Sequence, residues 1–199
     1  MILKVEADSA YLILPKARSR AAAWLILDNE PTTTPSAMPN APALVLCYTL
    51  RHVMSSAADA ETGGLFLAAQ KACPLRVTLL AELGHIQPAK GTPLYNDNST
   101  ATDILTGSMR QKFSRGFDMR FYWLRDRIEQ QQFQLIWRKG KANMADYFTE
   151  HHPPYHHKLM RYKYLHKALL IRRSSHGRGC VATAPAAFGD SHIYARRHA

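Results

Sequence analysis

Pro93-Leu94-Tyr95-Asn96-Asp97-Asn98-Ser99-Thr100-Ala101 runs a strand into a carboxylate and then into a helix. Pro93 to Asn96 has strand length, and the helix that opens at Ser99 is expected to run to Thr106 and stop at Gly107. Asp97 therefore stands at the C-terminal end of a strand. That is where open α/β sheets gather their ligands, in the crevice at which connections diverge.

Outward from this point the elements alternate. Upstream, Met1 to Asp8 reads as a strand, and Ala22–Leu27 and Ala43–Thr49 are apolar runs of mid-sheet strand length. Pro31 to Pro42 holds four prolines and reads as a surface loop. Ser56 is placed to cap a helix from Ala57 to about Ala72, with Asp59 as its capping-box partner. A second, leucine-rich helix is expected over 75–83, stopped by Gly84. Downstream, Phe117, Phe121, Leu124 and Ile128 recur at helical spacing. Phe133–Trp137 reads as a final strand and 142–149 as a short helix. Three strands, then helices alternating with two more, predict an α/β fold: a mixed five-stranded sheet flanked by helices. Cys47, inside an apolar strand, is expected in the core.

The 199-residue chain suits one domain plus an extension. It carries 26 Lys and Arg against 15 Asp and Glu, a net charge of +11. The excess is uneven. Residues 1–150 hold 17 basic and 14 acidic side chains; residues 151–199 hold nine and one, with eight of the ten histidines. We therefore expect a folded domain over 1–152 and a basic, partly disordered extension over 153–199, with one short helix near 158–171. Such charge suits a polyanionic partner as well as plain solvation. No apolar run is long enough to span a membrane, so no membrane partner is expected. Three distant cysteines without a CxxC pair suit a reducing compartment, cytoplasmic or nuclear, and not secretion.

Four acids can meet at one end of this sheet. Asp8 ends the first strand and Asp97 a later one. Glu61 shares a helix stripe with Leu65 and Ala68 and so faces the sheet. Asp146 opens the last helix. Any one of them alone could be a turn former or a helix-start charge. Together they would repel one another unless cations were bound, and hard oxygen donors select Mg2+ or Mn2+. Two such ions can activate a water and stabilise the leaving oxygen of a phosphodiester.

The local contexts resemble one family. Asp8-Ser9-Ala10-Tyr11, Arg18-Ser19 followed by Trp24, and Ser55-Ser56 with Asp59-Ala60-Glu61 are similar, in order, to motifs of the ribonuclease H domain of copia-type retrotransposon polyproteins. So are Asp97-Asn98-Ser99-Thr100-Ala101, Phe117-Asp118-Met119-Arg120-Phe121-Tyr122 and Asn143-Met144-Ala145-Asp146-Tyr147-Phe148-Thr149. The resemblance covers about residues 1–152. It implies a ribonuclease H-like fold, cleavage of the RNA strand of RNA–DNA hybrids with two Mg2+ or Mn2+ ions, and catalytic, metal-holding acids at Asp8, Glu61, Asp97 and Asp146. It further implies an upstream reverse transcriptase domain as partner. No polymerase sequence stands in this chain, which therefore reads as a detached terminal piece.

The chain departs from the family pattern at several points. One extra residue between Ser56 and Glu61 lets Asp59 compete for the metal; Glu61 is preferred because Asp59 already caps the helix. Gly116 and Glu150 stand where the family often has His and Lys. Arg120, Trp123 and Arg127 share a helix face read as opposite the apolar stripe, and with Asn98 they are the candidate nucleic-acid contacts. The run His151-His152-Pro153-Pro154-Tyr155-His156-His157 lacks cysteine partners at zinc spacing and reads as a surface segment. Two functions stay open: a metal-dependent ribonuclease H, or a non-catalytic remnant that keeps the fold and at most binds nucleic acid. An integrase-type nuclease would place its Glu after the second Asp, and here it comes before.

Overall fold

The computed structural model describes residues 2–28, 41–84, 90–107, 118–140 and 143–164. Five strands form one sheet: β1 (Ile2–Leu14), β2 (Arg18–Asp28), β3 (Leu44–Thr49), β4 (Thr92–Asn96) and β5 (Phe133–Trp137). Their order is β3-β2-β1-β4-β5. The first three pair antiparallel, and β4 and β5 join parallel to β1. The helices are α1 (Ala57–Leu83), α2 (Ser99–Leu105), α3 (Asp118–Glu129), α4 (Asp146–Thr149) and α5 (Pro154–Tyr164). The mixed five-stranded sheet flanked by helices is as expected. Among the described residues no helix is long and apolar enough to cross a membrane.

The alternation of β1 and β2 sends side chains to two different cores. Leu3, Val5, Ala7, Ala23 and Leu25 face α1, where Leu65, Ala68, Ala69 and Ala72 are fully buried. Leu105, Phe121 and Leu124 close this layer from α2 and α3. On the opposite face, Ala22, Trp24 and Ile26 pack with Ala145, Met144, Phe148 and Tyr164. Glu6 pairs across the ladder with Trp24, and Asp8 with Ala22, so both acids share this second face.

Several boundaries differ from expectation, each for a tertiary reason. β1 does not end at Asp8: it continues to Leu14 because β2 pairs with it as a hairpin, in register to Ala10 and, past an irregularity, again at Leu14. The two helices expected on either side of residues 73–74 are one, α1, with Pro74 inside it. A proline there gives up one helical hydrogen bond. The apolar face nonetheless runs unbroken from Ala69 and Ala72 to Leu75 and Leu79, so burial outweighs the break. Cys47 is exposed, since β3 is an edge strand with one side uncovered; its Sγ lies 3.5 Å from the Phe148 carbonyl. The short helix of the basic segment is α5, starting at Pro154, not near 158: a proline at the first helical position has no N–H to lose. Phe117 and Ala142, expected within helices, lie outside the described residues, as does everything beyond 164.

Candidate active site

The parallel register of β1 and β4 sets Val5 beside Leu94 and Glu6 beside Tyr95. Two steps further along, Asp8 comes abreast of Asp97, the residue at which β4 has just ended. Glu61 reaches the same point from α1. The helix starts where Ser56 Oγ accepts from Asp59 N at 3.1 Å, and Glu61 then falls on the sheet-facing stripe with buried Leu65 and Ala68. α1 lies so close to β1 that a Cβ on Gly64 would come within 2.2 Å of Ser9 Oγ. This approach lets Ser9 N donate to Glu61 Oε1 at 3.2 Å.

Asp8, Glu61 and Asp97 thus offer one carboxylate oxygen each, all within 4.8 Å of one another. Asp8 and Glu61 are buried and Asp97 is partly open. Glu61 Oε2 is buried and finds no hydrogen-bond partner among the described residues. Asp146, at the first position of α4, is not within that 4.8 Å group, but its charge acts on Asp8 and Glu61. Its helix is tied to the site, because Thr149 Oγ1 donates to Asp8 Oδ2. The segment leading into α4 is latched to β1: Asn143 Nδ2 donates to Ala7 O at 2.8 Å, and Met144 N to Glu6 Oε2 at 2.6 Å. Arg138 pairs with the other Glu6 oxygen at 2.7 Å.

The electrostatics follow from crowding acids away from water. Burial, then the charges of Asp8 and Asp97, push Glu61 up to about 9. Burial likewise raises Asp8 to about 7 despite the Thr149 hydrogen bond, with Asp97, Asp146 and Glu150 adding repulsion. Asp97 and Asp146 are raised too, first by burial and then by neighbouring acids, Glu150 among them. Each shift disfavours the ionised form, and nearby positive charge would oppose it. A buried carboxylate oxygen without a donor, beside two more carboxylates, fits a hard divalent cation held by oxygen ligands. Among the described residues this is the one cluster of three or more potential metal-ligating side chains.

Asp59, the competitor for Glu61, is engaged elsewhere. Its Oδ2 accepts from Ser55 N at 2.8 Å and Ser55 Oγ at 3.1 Å, which secures the start of α1 one residue earlier than a capping box would. Asn98 Oδ1 caps α2, accepting from Ala101 N at 3.0 Å. Arg120 is half-buried, with Nη1 3.8 Å from Met54 Sδ. Trp123 does not stand opposite the apolar stripe. It packs edge-to-face on Phe66 of α1 and joins the core, because an indole at this position is wide enough to reach the neighbouring helix. Arg127 lies over the outer side of that ring, 5.1 Å from its centroid.

Three contributors escaped the sequence pattern. Trp137 Nε1 donates to the Asp97 carbonyl at 2.8 Å from β5. Gly140 leaves room for the Asp97 carboxylate, which a Cβ would meet at 2.6 Å. Glu150 adds a further negative charge at the rim. The -Ala-Asp-x-x-Thr- spacing around Asp146 could have pointed to Thr149; nothing local marks Trp137.

No protein-family model and no curated protein matches the chain by sequence. Solved structures of similar shape are found. The N-terminal ribonuclease H domain of a Mycobacterium tuberculosis protein, solved as a fusion with maltose-binding protein, is 15% identical, with TM-score 0.47 over 74% of this chain and 89% of that one. The LC11 ribonuclease H1 in complex with an RNA/DNA hybrid is 9% identical, with TM-score 0.48 over 73% and 92%. The prototype foamy virus protease–reverse transcriptase is 10% identical, with TM-score 0.43 over 83% of this chain and 21% of the viral one.

Proposed function

We propose that this chain is a metal-dependent endonuclease that hydrolyses the RNA strand of RNA–DNA hybrids, derived from a copia-type retrotransposon polyprotein. The observation that carries the reading is the meeting of Asp8, Glu61 and Asp97 from three separate elements, with a buried Glu61 oxygen left without a donor. Asp8, Glu61, Asp97 and Asp146 would hold two Mg2+ or Mn2+ ions. When bound, such ions supply an activated water and stabilise the charge that develops on the leaving oxygen. The chain's own residues orient the set. Thr149 fixes the Asp8 carboxylate, Ser9 N fixes Glu61, and Trp137 fixes the backbone at Asp97. Arg120, Arg127 and Asn98 would meet the hybrid's backbone, with Trp123 contributing only as the ring that supports Arg127. The basic segment 153–199 would add phosphate contacts. The motif order from Asp8 to Thr149 further supports an upstream reverse transcriptase domain as the natural partner.

The test is incubation of purified protein with end-labelled RNA–DNA hybrid, double-stranded DNA and double-stranded RNA, with Mg2+, with Mn2+ and with chelator. Cleavage of the hybrid's RNA strand alone, and only with metal, is expected. A chain inert in both metals would be a fold-keeping remnant.

A further inference from the structure

Beside the acids, on the same short helix, lies a second feature that the hydrolytic reading does not use. Asp146 and Thr149 turn toward the carboxylate cluster, whereas Tyr147 and Phe148 between them line a groove of about 390 Å3. Its other walls are Pro42 and Val45 from the β3 side and His157, Arg161 and Tyr164 from α5. The size falls in the range of small-ligand clefts, roughly 300–1,000 Å3. The walls are preset by mutual packing. Tyr147 stacks on Tyr164 at 4.8 Å, Phe148 meets Tyr164 edge-on at 5.1 Å, and Tyr147 Oη is 2.5 Å from His157 Nδ1. The charges on its α5 wall have one sign, while Asp146 and Glu6 lie on the carboxylate side, near Tyr164. α5 carries Lys158, Arg161 and Lys163 and no acid, and Arg161 is exposed at the groove with no carboxylate partner among the described residues.

An apolar, aromatic slot with a guanidinium at its mouth is complementary to a planar base followed by a phosphate. The slot shares α4 with the acids. We propose that it receives an unpaired nucleotide of a nucleic-acid strand that extends beyond the duplex held at the carboxylates. This rests on the nuclease reading and adds to it a preference for hybrids with a single-stranded overhang. The groove recognises base and phosphate without reading sequence, since every base presents a flat face and Arg161 meets only the backbone.

The experiment measures binding by fluorescence anisotropy in chelator, so that no strand is cut, comparing blunt hybrids with hybrids bearing a short overhang labelled with 2-aminopurine. In the unmodified chain the overhang is expected to tighten binding about tenfold, and the 2-aminopurine emission to drop on stacking. Arg161→Glu reverses an exposed charge, and Val45→Trp fills the slot; each should bring the overhang-to-blunt ratio close to one. A ratio of one in the unmodified chain, or a ratio that survives both substitutions, overturns the proposal. The labelled single strand alone separates the two readings. Binding with quenching that Arg161→Glu abolishes, in a chain that never cuts hybrid, keeps the groove and removes the nuclease. Cleavage without any overhang effect does the reverse.

Discussion

Asp97 follows the last residue of β4, the strand between β1 and β5, and meets Asp8 and Glu61 there. Asp97→Asn keeps shape and hydrogen bonding but removes the charge that would hold the ions. We expect a rate loss of at least ~10³-fold in hybrid cleavage. Hybrid binding should persist, because positioning rests on contacts to the backbone. Asp59→Asn is the control: it disturbs only the Ser55 contacts at the helix start, costing about 1 kcal/mol in urea unfolding with turnover retained. Wild-type rates from Asp97→Asn would contradict the assignment.

The same residues set a pH dependence whose sign is fixed. Folded Glu61 and Asp8 titrate near 9 and near 7, against about 4 for unfolded carboxylates. Their contribution to stability is therefore fully present below about pH 4 and is lost as pH rises through the folded values. In chelator, the melting temperature should fall from about pH 5 to about pH 9. Mg2+ should raise it, and by more at the alkaline end, where the ligands are ionised. Glu61→Gln should flatten the metal-free slope. Calorimetry across this range decides it, and a metal-free melting temperature that climbs with pH would refute the burial argument.

At the scale of elements, α1 combines two tensions. Its N-terminal half is drawn onto β1 by Gly64, and its C-terminal half continues through Pro74 on the strength of packing alone. Pro74→Ala restores a backbone donor and should stabilise the protein by about 1 kcal/mol or more in urea unfolding. Gly64→Ala acts in the opposite direction. Its methyl meets Ser9 Oγ and Ala21 Cβ, and the helix must retreat from β1, at a cost of about 1–3 kcal/mol. Because that retreat lengthens the reach of Glu61, hybrid cleavage should fall along with stability. Loss of stability with undiminished turnover would show that the close approach serves packing only.

For the whole molecule, the second face of the sheet depends on the chain's later residues. Trp24 is buried in β2, and Tyr164 from α5 meets it edge-on at 4.4 Å while its hydroxyl donates to the Met144 carbonyl at 3.1 Å. This one side chain joins the basic segment to the element that precedes Asp146. Tyr164→Ala should therefore destabilise the fold by about 2 kcal/mol, and Tyr164→Phe by about 1 kcal/mol, as read by chemical unfolding. An unchanged midpoint for Tyr164→Ala would mean that α5 contributes no packing energy. Asp146 stands two residues beyond Met144, so weakened metal affinity should accompany the loss.

The sequence by itself determined the order and type of most elements and the meeting of Asp8, Glu61 and Asp97 at one end of the sheet, with Asp59 left to the helix start. Each of these is written in short-range pattern: a strand ending in Asp97, a stripe of Glu61, Leu65 and Ala68, a serine placed to cap. Only the tertiary structure decided how long β1 is, that α1 passes through Pro74, that Trp123 belongs to the core and Cys47 to the surface, and that Thr149, Trp137 and Gly140 shape the acid cluster. The reason is range. A helix stripe or a cap is settled within four residues, whereas Thr149 and Asp8 are 141 residues apart and Trp137 and Asp97 are 40. Partners that distant leave no periodic trace, and they meet only after the sheet has chosen its order.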